Sequence, residues 1–434
     1  MEIIIAFVIL VTTMVIGVPI PFAFAAAFIW ISFSLGFEPD FLLSAGYGQV
    51  SSVVLLAIPM FVLAGGVMER GRIGEHLIGL VEKFVGRFKG GLGAVAVITS
   101  AIFGSISGSA AATLSCIGSI MEPRMTKAGY KKGYTAALIA NASPLGLLIP
   151  PSTAQILYAW SSGQSVLACF LATIIPGIIL AFLLIVVNVF LTRKMPITIP
   201  PKETPRAWVM DTRKKTVSAI PALLMPAIIL GSIYGGVLTP TEAAAVSVLY
   251  AIPVGLFIYK GLTFKDLKEA LIDTSTTTGV IMVMLFMIMI LSRLLVMENV
   301  PTAISDALLS LTDNPVIILL LINVFMIIIG MLMDDASGIL LCTPILLPVV
   351  MALGVHPIHF AAILGVNLGM GLITPPTAPM LYLGCRVCKA QVNDMLFPTM
   401  MFIIFAWLPT LLLTTFIPEL ALTIPKMVLP KLFG

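Results

Sequence analysis

Long apolar stretches separated by short polar segments dominate the chain. Stretches of about 17–25 apolar residues have the length that crosses a bilayer as a helix. The pattern predicts crossings near residues 3–16, 18–34, 51–68, 134–160, 166–192, 216–236, 241–259, 276–297, 360–385 and 392–417. Two further apolar segments, 91–121 and 315–347, contain small or polar residues midway. The pattern therefore predicts an all-α polytopic membrane protein.

The composition agrees with a membrane protein. Of the 434 residues, 59% are hydrophobic and 10% are charged, whereas a soluble globular protein has about 25% charged residues. So few charges cannot cover the surface of a soluble protein of this size. The net charge of +4 is too small to suggest a nucleic-acid partner.

The sequence resembles itself at an offset of 225 residues. Residues 146–153 (GLLIPPST) align without a gap on residues 371–378 (GLITPPTA). Further identical pairs in the same register are Pro123 with Pro348, Gly129 with Gly354, Ala136 with Ala361 and Ala137 with Ala362. Self-similarity at a fixed offset indicates a repeated structural unit. The chain is therefore predicted to consist of two similar halves.

Basic residues are distributed unequally between equivalent connections. The connections 69–89 and 122–133 contain nine Lys and Arg residues, whereas their counterparts 294–314 and 347–358 contain none. Short cytoplasmic loops accumulate Lys and Arg, so equivalent loops are predicted on opposite sides of the membrane. The repeat is therefore predicted to be inverted, as in many secondary transporters. The basic linker 193–215 is placed in the cytoplasm.

The segments 91–121 and 315–347 must enter and leave on the same side if these crossings hold. Their midpoints are residues 104–109 (GSISGS) and 330–338 (GMLMDDASG). Non-helical backbone at membrane depth is tolerated only where it is buried in protein or lines water. Both segments are therefore predicted to be re-entrant helical hairpins whose tips meet inside the bundle.

Two consecutive prolines interrupt equivalent apolar helices, at 150–151 and 375–376. Proline removes a backbone donor and clashes with the preceding turn, so both helices are predicted to break there. Broken helices offer carbonyls to cations and positive N-termini to anions. We predict a binding site at the breaks, and the alternative is a packing kink.

Neutral hydrogen-bonding side chains surround the breaks and are candidate substrate ligands. They are Asn141, Ser143, Ser152, Thr153, Asn367, Thr374 and Thr377. Such a site favours a carboxylate substrate without a permanent buried positive charge. The alternative role of each is hydrogen bonding between helices.

Oxygen donors at the hairpin tips and breaks are candidate Na⁺ ligands. They are Ser105, Ser107, Gly108, Ser109 and Gly146 in the first half, and Gly330, Asp334, Asp335, Ser337, Gly371 and Pro375 in the second. The two aspartates are the most informative, since an ionisable group inside a membrane costs at least about 2.5–3.5 kcal/mol. A carboxylate there suits a hard cation or a proton. The alternative is capping of a helix N-terminus.

The segment 69–89 alternates apolar and charged residues and is predicted to be an amphipathic helix at the cytoplasmic interface. The chain is predicted to divide into five parts. They are a first-repeat scaffold with this amphipathic arm (1–90), a first transport part (91–165), the linker with a second scaffold (166–314), a second transport part (315–390), and a C-terminal helix and tail (391–434).

The sequence has no phosphate-binding loop motif, so no ATP-binding site of that kind is predicted. We therefore expect coupling to an ion gradient.

Several motifs together point to a known family. They are residues 104–109 (GSISGS), 117–120 (IGSI), 146–152 (GLLIPPS), 343–348 (TPILLP) and 367–376 (NLGMGLITPP). In combination they resemble the large membrane subunit of tripartite ATP-independent periplasmic (TRAP) transporters, over nearly the whole chain. Departures from the usual family pattern at Thr113, Leu147 and residues 377–378 fall around the predicted site.

The resemblance implies an elevator mechanism in the bacterial inner membrane, with no cofactor and with Na⁺ as the coupling ion. It implies uptake of a small organic anion, such as a C4-dicarboxylate or a sialic acid, delivered by a periplasmic binding protein. It also implies a small four-helix membrane subunit as a separate chain.

Two other classes of function remain as alternatives. An intramembrane enzyme using Asp334 and Asp335 is disfavoured, because adjacent aspartates cannot readily face one substrate atom together. A passive channel is disfavoured by the two predicted hairpins, which would interrupt a continuous pore.

Overall fold

The computed structural model describes residues 1–199, 204–312 and 314–433, and its regular structure is helical throughout those residues. Eight helical segments within them are long and apolar enough to cross a membrane. Large apolar side chains lie on the outside, among them Phe33, Phe182 and Phe257, which are 85%, 63% and 74% exposed. Such a surface fits contact with lipid rather than water. The predicted all-α polytopic fold is confirmed.

The first half of the chain forms the helices α1 (Glu2–Val15), α2 (Ile20–Leu35), α3 (Pro39–Val50), α4 (Ala57–Arg70), α5 (Ile73–Val85), α6 (Gly91–Ser107), α7 (Ala110–Lys127), α8 (Lys132–Ala142), α9 (Leu145–Leu148), α10 (Thr153–Ser162) and α11 (Val166–Thr192). A 3₁₀ turn at Val53–Leu56 leads directly into α4.

The second half forms α12 (Pro205–Tyr234), α13 (Pro240–Pro253), α14 (Phe264–Met297), α15 (Val300–Leu311), α16 (Pro315–Leu332), α17 (Asp335–Ala352), α18 (Pro357–Gly371), α19 (Pro379–Cys388), α20 (Val392–Phe402), α21 (Leu408–Phe416) and α22 (Glu419–Val428). π-helical turns at Val254–Ile258 and Ile403–Trp407 follow α13 and α20.

The order of the helices repeats at the offset found in the sequence. Helix α7 spans Ala110–Lys127 and α17 spans Asp335–Ala352, a shift of 225 residues at both ends. Helices α5, α6, α8, α10 and α11 have counterparts in α15, α16, α18, α19 and α20–α21. The peptide bonds Pro150–Pro151 and Pro375–Pro376 are both cis. The two halves therefore share one sequence of elements, and their opposite orientation in the membrane stays a prediction.

Both predicted hairpins are present as pairs of contacting helices joined by two residues. Gly108 has a positive φ of 61°, and its lack of a Cβ permits the tight turn between α6 and α7. The side chain of Ser109 then caps α7 by accepting a hydrogen bond from the backbone N–H of Ala112 at 3.4 Å. In the second hairpin, Met333 and Asp334 join α16 to α17.

Both predicted breaks are present as well. Helix α9 ends at Leu148 and α10 begins at Thr153, whereas α18 ends at Gly371 and α19 begins at Pro379. Prolines in each gap lack the N–H that would continue the helix. The structure therefore contains two interrupted helices, one in each half.

The amphipathic segment 69–89 is shorter than predicted. Glu69 and Arg70 end α4, and Gly71 and the positive φ of Arg72 (59°) separate them from α5. The apolar face of α5 is buried against α6 and α12. Ion pairs join α5 to α7 through Glu82 and Arg124 at 3.3 Å, and α5 to α12 through Lys83 and Asp211.

The linker is also more helical than predicted. Helix α12 begins at Pro205, so residues 205–215 of the predicted linker form its first turns. Proline is favourable at the first helical position because its missing N–H has no helical acceptor there. Asp211 pairs with Lys215 one turn later at 3.8 Å. Residues 200–203, which include Pro200 and Pro201, lie outside the described residues.

The inverted topology predicts opposite accessibility for Lys127 and Ala352, which end the equivalent helices α7 and α17 and are both exposed. We expect Ala352→Cys to react with a membrane-impermeant thiol reagent added to intact cells, and Lys127→Cys to react only after permeabilisation. The measurement uses a background without the native cysteines. Labelling of both variants from the same side would disprove the inversion.

Candidate functional site

Both hairpin tips open onto one cavity of about 550 Å³. Ser107 and Ser109 reach its wall from the first tip, and Asp334 and Asp335 reach it from the second. The other wall residues are Ile58, Val62, Gly65, Ala110, Ala111, Ala112, Thr153, Leu157, Thr276, Thr277, Val280, Ile281, Ala336, Leu372, Pro379 and Met380. The structure thus brings the two tips together, as the sequence predicts.

Four helices begin at the wall of this cavity. They are α7, α10, α17 and α19, whose first residues Ala110, Thr153, Asp335 and Pro379 line it. The N-terminus of a helix carries unpaired N–H groups and roughly half a positive charge. The convergence therefore surrounds the cavity with positive helix ends although no Lys or Arg lies on the described wall.

Hydroxyl groups organise the first tip. Thr113 Oγ1 donates to the carbonyl oxygen of Ser109 at 2.8 Å and lies 3.2 Å from Ser107 Oγ. Thr153 Oγ1 donates to the carbonyl oxygen of Gly108 at 2.8 Å, which ties the first break to the tip. A carbonyl oxygen has two lone pairs. That of Ser109 also accepts from the backbone N–H of Thr113 at 3.1 Å, whereas that of Gly108 retains one lone pair for a further ligand.

Pairs of glycines let each hairpin touch the equivalent broken helix. A Cβ built on Gly104 would lie 2.5 Å from the Cα of Gly146, and one on Gly371 would lie 2.6 Å from the Cα of Gly330. Any side chain at either contact would meet backbone rather than a movable group. The tips can therefore approach the breaks only because these positions have no Cβ.

Asp334 caps the second tip. Its Oδ1 accepts hydrogen bonds from the backbone N–H of Ser337 at 3.2 Å and from the Ser337 hydroxyl. Ser337 Oγ also lies 2.7 Å from the sulfur of Met284 on α14. Asp334 therefore caps the N-terminus of α17, as the alternative interpretation expects. An additional role of this carboxylate as a cation ligand stays a prediction. Asp335 follows in the first turn of α17, on the cavity wall.

The remaining predicted ligands lie off the described cavity wall. Ser105, Ser143 and Thr374 donate to carbonyl oxygens of their own helices at 2.7–2.9 Å. Ser337 is buried behind the wall, Pro375 is half-buried in the second break, and Thr377 is exposed there. Ser152 is buried, and its hydroxyl has no hydrogen-bond partner among the described residues.

The two predicted amides bridge helices. Asn141 Nδ2 lies 3.4 Å from Thr399 Oγ1 on α20 and donates to Ala137 O at 2.8 Å. Asn367 Nδ2 donates at 2.9 Å to the Oδ1 of Asn323 on α16. These are the contacts expected of interhelical hydrogen bonding.

Sequence reasoning missed Asn323, which joins the second hairpin to the rest of the second half. Its Nδ2 donates to Thr415 Oγ1 on α21 at 3.1 Å while its Oδ1 accepts from Asn367. A lone amide in the apolar helix α16 was the available signal, since such a group requires a partner in lipid.

Sequence reasoning also missed the part of the cavity wall that α4 and α14 contribute. Thr276 and Thr277 lie within the polar run 274–279 (TSTTTG), which precedes the long apolar stretch of helix α14. Gly65 on α4 approaches the first tip so closely that an added Cβ would lie 3.0 Å from the Cα of Ser107. The polar run is visible in the sequence, whereas the contact of Gly65 depends on the fold.

The cavity, the hairpins and the interrupted helices define a multi-pass membrane transport protein. The profile of the family described as "Tripartite ATP-independent periplasmic transporter, DctM component" matches residues 3–420. The chain belongs to this family, and it is therefore a large permease subunit of the inner membrane rather than an enzyme.

Named relatives carry the same description. The chain is 35% identical to the C4-dicarboxylate TRAP transporter large permease protein DctM of Pseudomonas aeruginosa, over 86% of each chain. It is 32% identical to the sialic acid permease SiaM of Vibrio cholerae, over 95% of this chain and 96% of that one. It is 33% identical to the isethionate permease protein DctMQ of Oleidesulfovibrio alaskensis, over 94% of this chain but only 64% of that relative's length.

A solved structure shares the fold. The YdaH transporter of Alcanivorax borkumensis superposes with a TM-score of 0.62 over 87% of this chain and 89% of that one, at 16% sequence identity. At that identity the likeness concerns the fold alone.

The glycine contact at the first tip predicts that Gly104→Ala destabilises the protein. A Cβ there meets backbone at 2.5 Å, and overpacking of this kind costs about 1–3 kcal/mol. We expect a lower thermal unfolding midpoint in detergent. Gly231→Ala is the matched control, because a Cβ on that helical glycine has open space. An equal midpoint for both variants would contradict the close approach.

The two roles of Asp334 predict different behaviour for two variants. Asp334→Ala removes the cap and is expected to destabilise the protein by about 1 kcal/mol. Asp334→Asn keeps an oxygen that accepts from Ser337 but removes the charge, so it should largely retain stability and lose Na⁺-dependent stabilisation. Thermal midpoints with and without Na⁺ measure both effects. If Asp334→Asn responds to Na⁺ as the unmodified protein does, capping alone explains the residue.

Proposed function

We propose that this chain is the permease subunit of a Na⁺-coupled secondary transporter that imports a small organic anion. The observation that carries the proposal is the convergence of four helix N-termini on one cavity that also holds two carboxylates. The polar wall groups nearest the tips are the hydroxyls of Ser107, Ser109 and Thr153. Together these groups suit an anion that is bound through helix ends and neutral donors.

The carboxylates of Asp334 and Asp335 supply the reason for cation coupling. Two negative side chains on the same wall repel an anionic substrate unless a cation or proton neutralises them. Na⁺ prefers oxygen ligands, as other hard cations do. Binding of Na⁺ at the second tip would therefore raise the affinity of the cavity for an anion.

The first tip offers a second set of oxygen atoms. The carbonyl oxygen of Ser109 lies 3.4 Å from the position of a Cβ on Gly146, so tip and break are adjacent. The carbonyl oxygen of Gly108 lies beside the same break, where Thr153 contacts it. The buried hydroxyl of Ser152 adds an acceptor that has no partner among the described residues. We propose that these atoms hold one Na⁺, and that the second tip with the break after Gly371 holds or orders another.

The wall provided by α4 and α14 supports an elevator mechanism in the inverted arrangement. The hairpins and broken helices would form the transport domain, and α4 and α14 would belong to the scaffold. Gly65 is close to the basic end of α4 at Arg70, which pairs with Asp273 of α14 at 2.6 Å. Since basic helix ends favour the cytoplasm, the proposed location of the cavity is the cytoplasmic side of the scaffold. We propose that this conformation faces inward.

The relatives guide the choice of substrate and partners. Their names give C4-dicarboxylates, sialic acid and isethionate, all of which are organic anions. We propose a substrate of this class for the present chain. A small four-helix membrane subunit and a periplasmic binding protein would complete the transporter.

The proposal predicts uptake that depends on a Na⁺ gradient. The full chain is reconstituted in liposomes with its small membrane subunit and its binding protein, and radiolabelled succinate, sialic acid and isethionate are supplied in turn. We expect accumulation of one anion with an inward Na⁺ gradient, and none when K⁺ replaces Na⁺. Thr153→Val, which removes the hydrogen bond to Gly108, is expected to lower uptake several-fold, in line with a loss of about 1 kcal/mol.

Thr241→Val is the matched control, because Thr241 is located outside the described cavity wall and bonds weakly to Val53 at 3.4 Å. Uptake that persists unchanged without Na⁺ would exclude Na⁺ coupling. Counterflow distinguishes the channel alternative, because only a carrier accelerates labelled uptake when unlabelled substrate is present on the opposite side.

A further inference from the structure

A groove on the lipid-facing side of α11 and α20 joins a basic pocket to an apolar one. The basic pocket, of about 530 Å³, is lined by Lys131, Lys132, Gly133, Tyr134, Leu191, Met195, Asn393, Asp394, Phe397 and Pro398. The apolar pocket, of about 440 Å³, is lined by Val186, Val187, Phe190, Leu191, Met401 and Phe405. Leu191 belongs to both, so the two pockets adjoin at this side chain.

The apolar walls follow from helical spacing. Phe397, Met401 and Phe405 recur every four residues along α20 and the π-helical turn after it, and therefore share one face. Val187 and Leu191 have the same spacing at the end of α11. The stripe from Asn393 to Phe405 rises about 18 Å, which is close to half of a hydrocarbon core about 30 Å thick. The groove therefore matches the depth of one leaflet.

Close contacts between three helices form the floor of the basic pocket. Tyr134 OH donates to Asn188 Oδ1 at 2.9 Å, which fixes α8 against α11. A Cβ on Gly133 would overlap the Cβ of Asp394, so α8 also touches α20 directly. The pocket is thus a concave site between packed helices and not a gap beside a mobile loop.

The mouth of the basic pocket carries a net positive charge. Lys131 and Lys132 line it against a single carboxylate, Asp394, and Arg193 and Lys194 are exposed at the adjoining end of α11. Lys132 lies 3.8 Å from Glu122, whereas Lys131 has no carboxylate within ion-pair distance in the described part of the chain. Basic pockets between membrane helices on the cytoplasmic side bind anionic lipid headgroups.

We propose that this groove binds an anionic phospholipid of the cytoplasmic leaflet. Its phosphate group would lie at Lys131 and Lys132, with Asn393 available as a neutral donor, and an acyl chain would run between α11 and α20. Both helices contact parts of the predicted transport domain, α6 and α18 for α11 and α8 and α19 for α20. The lipid would therefore lie against that domain.

Photocrosslinking of the full chain in phosphatidylcholine nanodiscs tests this proposal. The probe is phosphatidylglycerol with a diazirine in its acyl chain, and a phosphatidylcholine analogue with the same chain is the lipid control. We expect labelling of peptides from α11 and α20 by the anionic probe. Loss of both lysines in Lys131→Gln/Lys132→Gln should reduce that labelling about ten-fold or more, since each basic residue near anionic lipid contributes substantially to binding.

Lys265→Gln/Lys268→Gln is the matched protein control. It removes two exposed lysines from the first turns of α14, away from the groove, and should leave labelling unchanged. Leu191→Trp keeps the charges but fills the junction of the two pockets, and should also abolish labelling of the groove.

Three results would overturn the proposal. The first is equal labelling by the phosphatidylcholine analogue, which would indicate unselective contact with bulk lipid. The second is unchanged labelling in the double lysine variant when its thermal midpoint equals that of the unmodified protein. The third is protection of the groove by the small membrane subunit, which would assign this face to a protein interface.

Discussion

The fold depends on one constraint, which is that backbone freed from helical hydrogen bonding inside a membrane must be buried in protein or line water. Two hairpin tips and two helix breaks free such backbone here. The structure buries them against each other, with Gly104 on Gly146 and Gly330 on Gly371 at backbone contact distance. These two tips and two breaks thus form a single centre. The cavity of about 550 Å³ lies where the tips and breaks do not fill the space between them.

The same constraint explains why the cavity is polarised without basic side chains. Each interruption starts a new helix, and each new helix presents its N-terminus to the interior. The dipoles of these helices make the cavity electropositive without a buried Lys or Arg, whose insertion into the membrane is costly. Under the proposed function, the negative charge of Asp334 and Asp335 is available for a mobile cation. Selectivity for an anion accompanied by a cation would then follow from the backbone as much as from the side chains.

The apolar pattern and the prolines were sufficient to predict the long helices, both hairpins and both breaks. Helix α11, at Val166–Thr192, lies where the sequence places a crossing. The start of α12 was missed because the first turns of that helix rely on Pro205 and on the ion pair of Asp211 with a distant lysine. Among the candidate ligands, Asn141 and Asn367 have the right chemistry but turn toward neighbouring helices. Residue type and spacing identify which groups are polar, whereas packing decides which of them face the cavity.

The two halves share their elements but differ in the chemistry of their tips. Neutral hydroxyls of Ser107 and Thr113 organise the first tip, whereas the carboxylate of Asp334 organises the second. Without a bound cation the first tip is neutral, whereas the second carries a carboxylate. Departure of Na⁺ from the second tip would leave a carboxylate beside the bound anion, and their repulsion at short range would favour release of the anion. Chemical divergence within a repeated fold would thereby make cation release and substrate release a single linked event.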